Sequence, residues 1–219
     1  MSEKKLALHT FPIGNLGCNC SILYSPVTRE AIAIDPGNDA ESFLARVAKL
    51  NVKVKYLLHT HAHFDHIGHA DIVRKKIGTP IYLHKGDLFL YEALEQQAMY
   101  FGASVAEPEG IDRFIEDEEE FGLEDSQLKN VLKSIHTPGH TPGSCSFYCE
   151  MLDEPMLFSG DTLFANSIGR TDLPGGDFDQ IIHSIKKRIL TLDPETIVIP
   201  GHGASTVLHH ESRHNPYLK

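Results

Sequence analysis

Four metal-capable side chains, His61, His63, Asp65 and His66, fall within six consecutive positions of the run His59-Thr60-His61-Ala62-His63-Phe64-Asp65-His66. Imidazole and carboxylate are the ligands of zinc and other borderline metals. Ionisable groups this dense are rare in a packed interior unless they share a cation. The run directly follows residues 54–58, an apolar stretch that reads as a buried strand. Alternate residues of an extended segment point the same way, so the spacing places His61, His63 and Asp65 on one locus. His66 turns into a following helix and faces a neighbouring locus. A lone histidine at a strand end is ordinary, but four such groups with Gly68 close behind read as a metal site.

Three later segments repeat the arrangement. The apolar strand 131–135 leads into His136-Thr137-Pro138-Gly139-His140, 157–159 into Gly160-Asp161, and 197–199 into Pro200-Gly201-His202-Gly203. Glycine frees the backbone where a chain bends sharply around a ligand. Loops held at strand ends by a rigid sheet are where sites are built. Taken singly, each is a turn with a surface residue. Together, His140, Asp161 and His202 bring the candidate ligands to seven, enough for two divalent ions. The donor set suits zinc and also admits iron or manganese. Two ions about 3.5–4 Å apart share and acidify a water. A carboxylate bridges metals where a neutral imidazole does not, so Asp161 is the natural bridge among the later ligands.

The rest of the chain has to position these groups. Its 219 residues carry ordinary hydrophobic and charged fractions, 41% and 23%, with a net charge of −10. No basic stripe is available to displace counterions, which argues against a nucleic-acid partner. No stretch approaches the roughly 18 apolar residues of a membrane helix. Residues 1–8 lack the apolar core of a signal peptide. The cysteines, Cys18, Cys20, Cys145 and Cys149, have neither zinc-ribbon spacing nor that of an ordinary disulfide, so they read as buried free thiols in the cytoplasm.

Residues 6–11, 20–24 and 31–34 read as a strand meander, followed by a helix over 39–50 and a strand over 54–58. A second helix is expected over 67–77 with Gly78 as its stop, and then a short strand over 80–83. Residues 86–110 read as helical or irregular, an excursion able to shape a pocket. The acidic block 116–120 reads as a solvated loop or strand edge. Strands follow at 131–135, 144–148, 156–159 and 196–199. A helix over 177–190 carries Phe178, Ile181, Ile182, Ile185 and Ile189 on one stripe and opens on the capping pair Asp177 and Gln180. A short helix ends the chain within 205–214. Two strand groups with amphipathic helices and no linker between them indicate one α/β domain over residues 1–219, two sheets face to face with helices outside.

The pattern His61-x-His63-x-Asp65-His66, then His140, Asp161 and His202, resembles the metallo-β-lactamase superfamily. The resemblance spans nearly the whole chain and implies an αββα sandwich with the site along one edge of the paired sheets. It further implies that His61, His63 and His140 hold one metal, that Asp65, His66 and His202 hold the second, and that Asp161 bridges them. Within that superfamily, Gly160-Asp161-Thr162-Leu163-Phe164 and the run from Gly169-Arg170-Thr171-Asp172 to Asp177 resemble the glyoxalase II group, the hydroxyacylglutathione hydrolases. Asp161 stands where a zinc β-lactamase carries a cysteine ligand, which argues against antibiotic hydrolysis. Full-length glyoxalase II enzymes carry a basic helical region for glutathione. Here only Arg213 and Lys219 are basic Lys or Arg residues beyond His202, so the resemblance is to the short, single-domain members.

The activity expected is a metal-dependent thioesterase, in which a bridging hydroxide attacks the carbonyl of a small acyl-thiol and a metal takes the oxyanion's charge. Asp65 is the expected catalytic residue, orienting the nucleophile and accepting its proton. His59 and His69 are expected beside the ligands or on the surface, and Arg170 is expected to pair with Asp172. Other activities compatible with the same ligands are a mono-iron persulfide dioxygenase using two histidines and the aspartate, a lactonase or other ester hydrolase, and a metal-binding module without turnover.

Overall fold

The computed structural model describes residues 6–125 and 127–219; the first five residues of the segment read as lacking a signal peptide lie outside them. The chain opens with three antiparallel strands, β1 (Ala7–Ile13), β2 (Cys18–Tyr24) and β3 (Glu30–Ile34). Helix α1 (Ala40–Leu50) is capped by Asp39, whose carboxylate accepts from Ser42 N at 3.1 Å, and it ends at left-handed Asn51. It returns the chain so that β4 (Lys53–Leu58) joins β3 in parallel.

One helix was expected over 67–77, but two form: α2 (Phe64–Ile67) and α3 (Ala70–Ile77). The Gly68 amide still bonds Phe64 O at 2.8 Å, but the His69 amide turns to Gly37 O at 3.1 Å, which interrupts the ladder. Strands β5 (Ile81–His84) and β6 (Arg113–Ile115) complete the first sheet, order β1-β2-β3-β4-β5-β6. Between them lie two short helices, α4 (Leu88–Glu92) and α5 (Leu94–Tyr100), in the stretch read as helical or irregular.

The second sheet is built from β7 (Glu120–Phe121), β8 (Leu132–His136), β9 (Cys145–Cys149), β10 (Met156–Gly160), β13 (Ile197–Pro200) and β14 (Thr206–Val207), in the order β14-β13-β10-β9-β8-β7. Its β10–β13 pair is parallel and the rest antiparallel, so both sheets are mixed. A small hairpin, β11 (Leu163–Phe164) and β12 (Ser167–Ile168), follows β10.

Ile32, Ile34 and Leu58 of the first sheet pack with Phe121, Phe147 and Phe158 of the second in one buried cluster. Each such side chain contributes about 1.5–3 kcal/mol by leaving water. Helices α1 and α3 cover the outer face of the first sheet. Helix α6 (Phe178–Ser184), continued by a π-helical turn Ile185–Ile189, covers the second. This is the expected αββα arrangement. Asp177 caps α6 by accepting from Gln180 N at 2.9 Å. Ile181, Ile185 and Ile189 are fully buried, but Phe178, placed on the same stripe by its spacing and first in the helix, is 50% exposed. The last helix, α7 (Leu208–His214), is shorter than expected because residues 206–207 pair with β13 instead.

The acidic block forms the turn between β6 and β7, where Asp117 and Glu118 meet Arg188 at 3.0 and 2.7 Å. All four cysteines are free and buried. Among the described residues, no helix is long and apolar enough to cross a membrane.

Candidate metal centre

Strands β3, β4, β10 and β13 all end at the same edge of the sandwich, and the loops that leave them converge there. The loop after β4 and the first turn of α2 bring His61, His63, Asp65 and His66. The β8–β9 loop brings His140, and the ends of β10 and β13 bring Asp161 and His202. All seven predicted ligands therefore meet, but their grouping departs from the extended-strand reading. His61, His63 and His140 form one cluster; Asp65 joins His66 and His202 in another. Asp65 leaves the first locus because residues 64–67 are helical, so alternation stops at His63.

In the first cluster, His61 Nε2 lies 3.1 Å and His140 Nε2 2.9 Å from His63 Nδ1. The outer hydrogen bonds fix the tautomers. Thr60 Oγ1 donates to Asp35 Oδ2 at 2.7 Å, so it can only accept from His61 Nδ1 at 3.0 Å. His140 Nδ1 donates to Arg170 O at 2.8 Å. The Nε2 atoms of His61 and His140 thus present bare lone pairs to a third ring nitrogen. Burial, then the neighbouring imidazoles, hold both His61 and His63 well below the ordinary histidine range.

In the second cluster, His202 Nε2 is 3.0 Å from Asp65 Oδ2 and 3.2 Å from His66 Nε2. Burial works to lift Asp65, but the charges of His66 and His202 outweigh it and keep this carboxyl ionised, below its usual range. His66 is shifted up against its burial by Cys18 and by Asp65, Asp161 and Asp35. An imidazole ringed by carboxylates marks a locus of excess negative charge. Asp161 lies between the clusters, 3.5 Å from His66 Nε2 and 3.7 Å from His140 Nε2, and its buried Oδ1 has no hydrogen-bond partner. Converging lone pairs and an orphaned carboxylate oxygen are what divalent cations would satisfy, so the residues fit two of them.

Glycine is required at two places. Gly160 has φ +51, and a Cβ there would sit 2.6 Å from Thr60. A Cβ on Gly201 would meet Asp161 Oδ1 and the His66 ring. Asn19 steers the β13 loop: its amide N–H bonds Gly201 O at 2.7 Å and its side chain donates to Pro200 O at 2.9 Å. His202 Nδ1 donates to Leu16 O at 3.1 Å.

Three supporting residues escaped the sequence reading. Asp35, seen only as the end of a strand, accepts from Thr60 N, Thr60 Oγ1 and His66 Nδ1. Buried Asp87 accepts from Ala62 N at 3.0 Å, Thr141 Oγ1 at 2.8 Å and Gly143 N at 2.6 Å, tying the loop of His63 to that of His140. Gln97 of α5 bonds Phe64 N and Ala62 O. The Asp35-Pro36-Gly37 turn directly after an apolar run was the one available signal. His59 is buried behind the site with Nδ1 3.0 Å from Tyr82 O, and His69 accepts from Ala40 N at 3.3 Å; neither joins a cluster. Arg170 pairs with Asp172 through two bonds of 2.7 and 2.8 Å, but it does so on the exposed surface.

His63, Asp65, His140, Asp161 and His202 form the floor of a cavity of about 550 Å³. Its walls come from α4, α5, the β1–β2 turn at Leu16, and the Leu173-Pro174 loop.

The metallo-β-lactamase superfamily model matches residues 13–202. The chain belongs to that superfamily. Among metallo-β-lactamase superfamily relatives, it is 37% identical to the hydroxyacylglutathione hydrolase GloC of Haemophilus influenzae, over 96% of this chain and 97% of that protein. Its fold matches the crystal structure of TTHA1623 in a di-iron-bound form (TM-score 0.86, 36% identity, 96% of this chain and 100% of the other). It matches equally the crystal structure of BLEG-1 B3 metallo-β-lactamase (TM-score 0.86, 37% identity, 97% and 99%). The chain is thus a metallo-hydrolase of this superfamily.

Proposed function

We propose that the protein is a thioesterase of the hydroxyacylglutathione hydrolase type. In this reading His61, His63 and His140 hold one divalent ion, Asp65, His66 and His202 hold the other, and Asp161 bridges them. When bound, the two ions supply a water that ionises near neutral pH and a Lewis acid for a carbonyl oxygen. Asp65, whose carboxylate lies beside His66 and His202, would orient the attacking water and accept its proton. Asp35, Thr60 and the Arg170 carbonyl hold the imidazole rings in the tautomers that face the centre.

The observation that carries the thioester reading is the scarcity of proton donors: beside the proposed ligands, the Tyr100 phenol is the one weak acid of the lining among the described residues, and it is 83% exposed. Apart from the proposed ligands, no His, Asp, Glu or Lys lines the cavity among the described residues. An amine or sugar leaving group needs protonation, whereas a thiolate departs without it. The kinship with GloC supports the same chemistry. The di-iron TTHA1623 supports a two-metal site and makes iron a native metal to weigh beside zinc and manganese. The likeness to BLEG-1 means that Asp161 alone does not remove β-lactams from the substrates to be tried. Four buried free thiols favour a cytoplasmic location.

The test is metal analysis of the purified protein, run with hydrolysis of S-D-lactoylglutathione, turnover of a chromogenic β-lactam, and oxygen uptake with glutathione persulfide. The expected result is about two metals per chain and thioester cleavage without oxygen uptake. One iron with oxygen uptake would establish a persulfide dioxygenase instead, and β-lactam turnover alone would establish a lactamase.

A further inference from the structure

The cavity above the metal centre carries more information than its floor. Its upper walls are Leu16, Phe89, Tyr100, Phe101, Leu173 and Pro174. Phe89 and Phe101 are nearly half exposed, and Tyr100 is 83% exposed, which leaves a contiguous aromatic surface open at the cavity. The rings are held in place. Phe101 stacks on Phe64 at 5.2 Å, next to ligand residues His63 and Asp65, and Gln97 bolts α5 to the same loop through Phe64 N and Ala62 O. The α5 side of the apolar wall is therefore tied directly to the loop that carries His63 and Asp65.

Charge is nearly absent from these walls. Among the described residues lining the cavity, Arg170 is the one Lys or Arg, and both oxygens of Asp172 already engage it. A glutathione moiety brings two carboxylates and an ammonium group, and away from the metal ligands and Arg170 the cavity offers them only the amides of Gln96 and Gln97 and the Tyr100 hydroxyl among mostly apolar side chains. The volume of about 550 Å³ falls within the range that accepts a medium-sized organic group.

We propose that the cavity takes the acyl part of the substrate and that this acyl group is apolar, a medium-length alkyl or aryl chain. The polar carrier thiol stays in solvent at the open mouth beside Tyr100. The inference rests on the thioesterase reading and replaces its hydroxyacyl group with an apolar acyl group. Water adds to the carbonyl carbon as Asp65 takes one of its protons, the C–S bond breaks with its electron pair leaving on sulfur, the acid product carries the water oxygen, and the proton passes to the thiolate or to solvent; no oxidant or second reactant is needed.

The experiment uses the metal-loaded full chain with acetyl, hexanoyl and phenylacetyl thioesters of N-acetylcysteamine, an uncharged thiol, alongside S-D-lactoylglutathione. The inference expects kcat/KM to rise at least about tenfold from acetyl to hexanoyl, with both longer esters exceeding lactoylglutathione. In the double variant F89S/Y100S the hexanoyl-to-acetyl ratio should fall toward one, with metal content and circular dichroism confirming that the variant is folded. A flat or falling chain-length series, or lactoylglutathione as the best substrate, would overturn the apolar-acyl inference and leave the thioesterase standing. No cleavage of any thioester by the loaded protein would overturn both.

Discussion

Asp35 Oδ2 lies 2.9 Å from His66 Nδ1, joining the end of β3 to a side chain 31 residues later in sequence. The carboxylate accepts from Nδ1–H and so turns the bare Nε2 of His66 toward Asp65, Asp161 and His202. The same carboxylate holds Thr60, which in turn sets the tautomer of His61. One buried acid, not itself in the proposed ligand set, thus orients a ligand in each cluster.

Replacing Asp35 with Asn keeps the volume but puts an amide N–H where donors already converge. Metal affinity should fall about 10–100-fold, read by competition with a chromogenic chelator, while the far-ultraviolet spectrum stays unchanged. Undiminished affinity in D35N would remove Asp35 from the centre's support.

Metal removal should cost stability as well as activity. Without cations the bare nitrogens of His61, His63 and His140 face one another and Asp161 Oδ1 is left unpartnered. A ligand at a thousand times its Kd adds about 4 kcal/mol to the folded state. For a chain of this size, stripping one ion should then lower Tm by roughly 8–16 °C, and calorimetry with and without chelator measures it. An unchanged Tm would mean that the metals contribute little to holding the loops together.

Asp87 predicts a defect in which folding and binding are coupled. Its carboxyl is pushed up by burial, partly offset by the donors Thr141, Ala62 N and Gly143 N. D87A would leave these buried donors without an acceptor, at about 1–3 kcal/mol each. It should lower the urea midpoint and also weaken metal binding, since Ala62 lies between His61 and His63, and Thr141 adjoins His140. A loss of stability with intact metal affinity would make Asp87 a purely structural residue.

His84 gives a pH dependence remote from the metals. Its ring stacks on His136 at 4.1 Å, and burial, then the His136 charge, holds its pKa below the ordinary histidine value of 6.5. Between the lowered folded value and 6.5 the unfolded chain binds more protons, so stability falls as pH drops through that window. H84F keeps a stacked ring but loses the bond from Gly86 N. It should be less stable than the parent at pH 8 by about 1 kcal/mol and should show a shallower decline below pH 6.5. Equal pH slopes in parallel denaturant titrations would acquit His84.

Sequence alone determined the ligand types, because His61-x-His63-x-Asp65-His66 is too dense in ionisable groups to pack without a cation, and because each later candidate follows an apolar strand through a glycine turn. Period-two and helical patterns likewise fixed most strands and the buried stripes of α1 and α6, since burial on one face is a local property of the chain. Tertiary structure decided the rest. Asp65 parts from His61 and His63 because a helical turn begins at Phe64, a choice stabilised by Gln97 from a distant helix. Asn19 reaches Gly203 across 184 residues, Asp87 reaches Thr141 across 54, and the apolar wall of Phe89, Tyr100 and Phe101 faces Leu173 only after both sheets close. Contacts across such separations leave no periodicity in the chain. They are set by which strand ends the two sheets bring to a common edge.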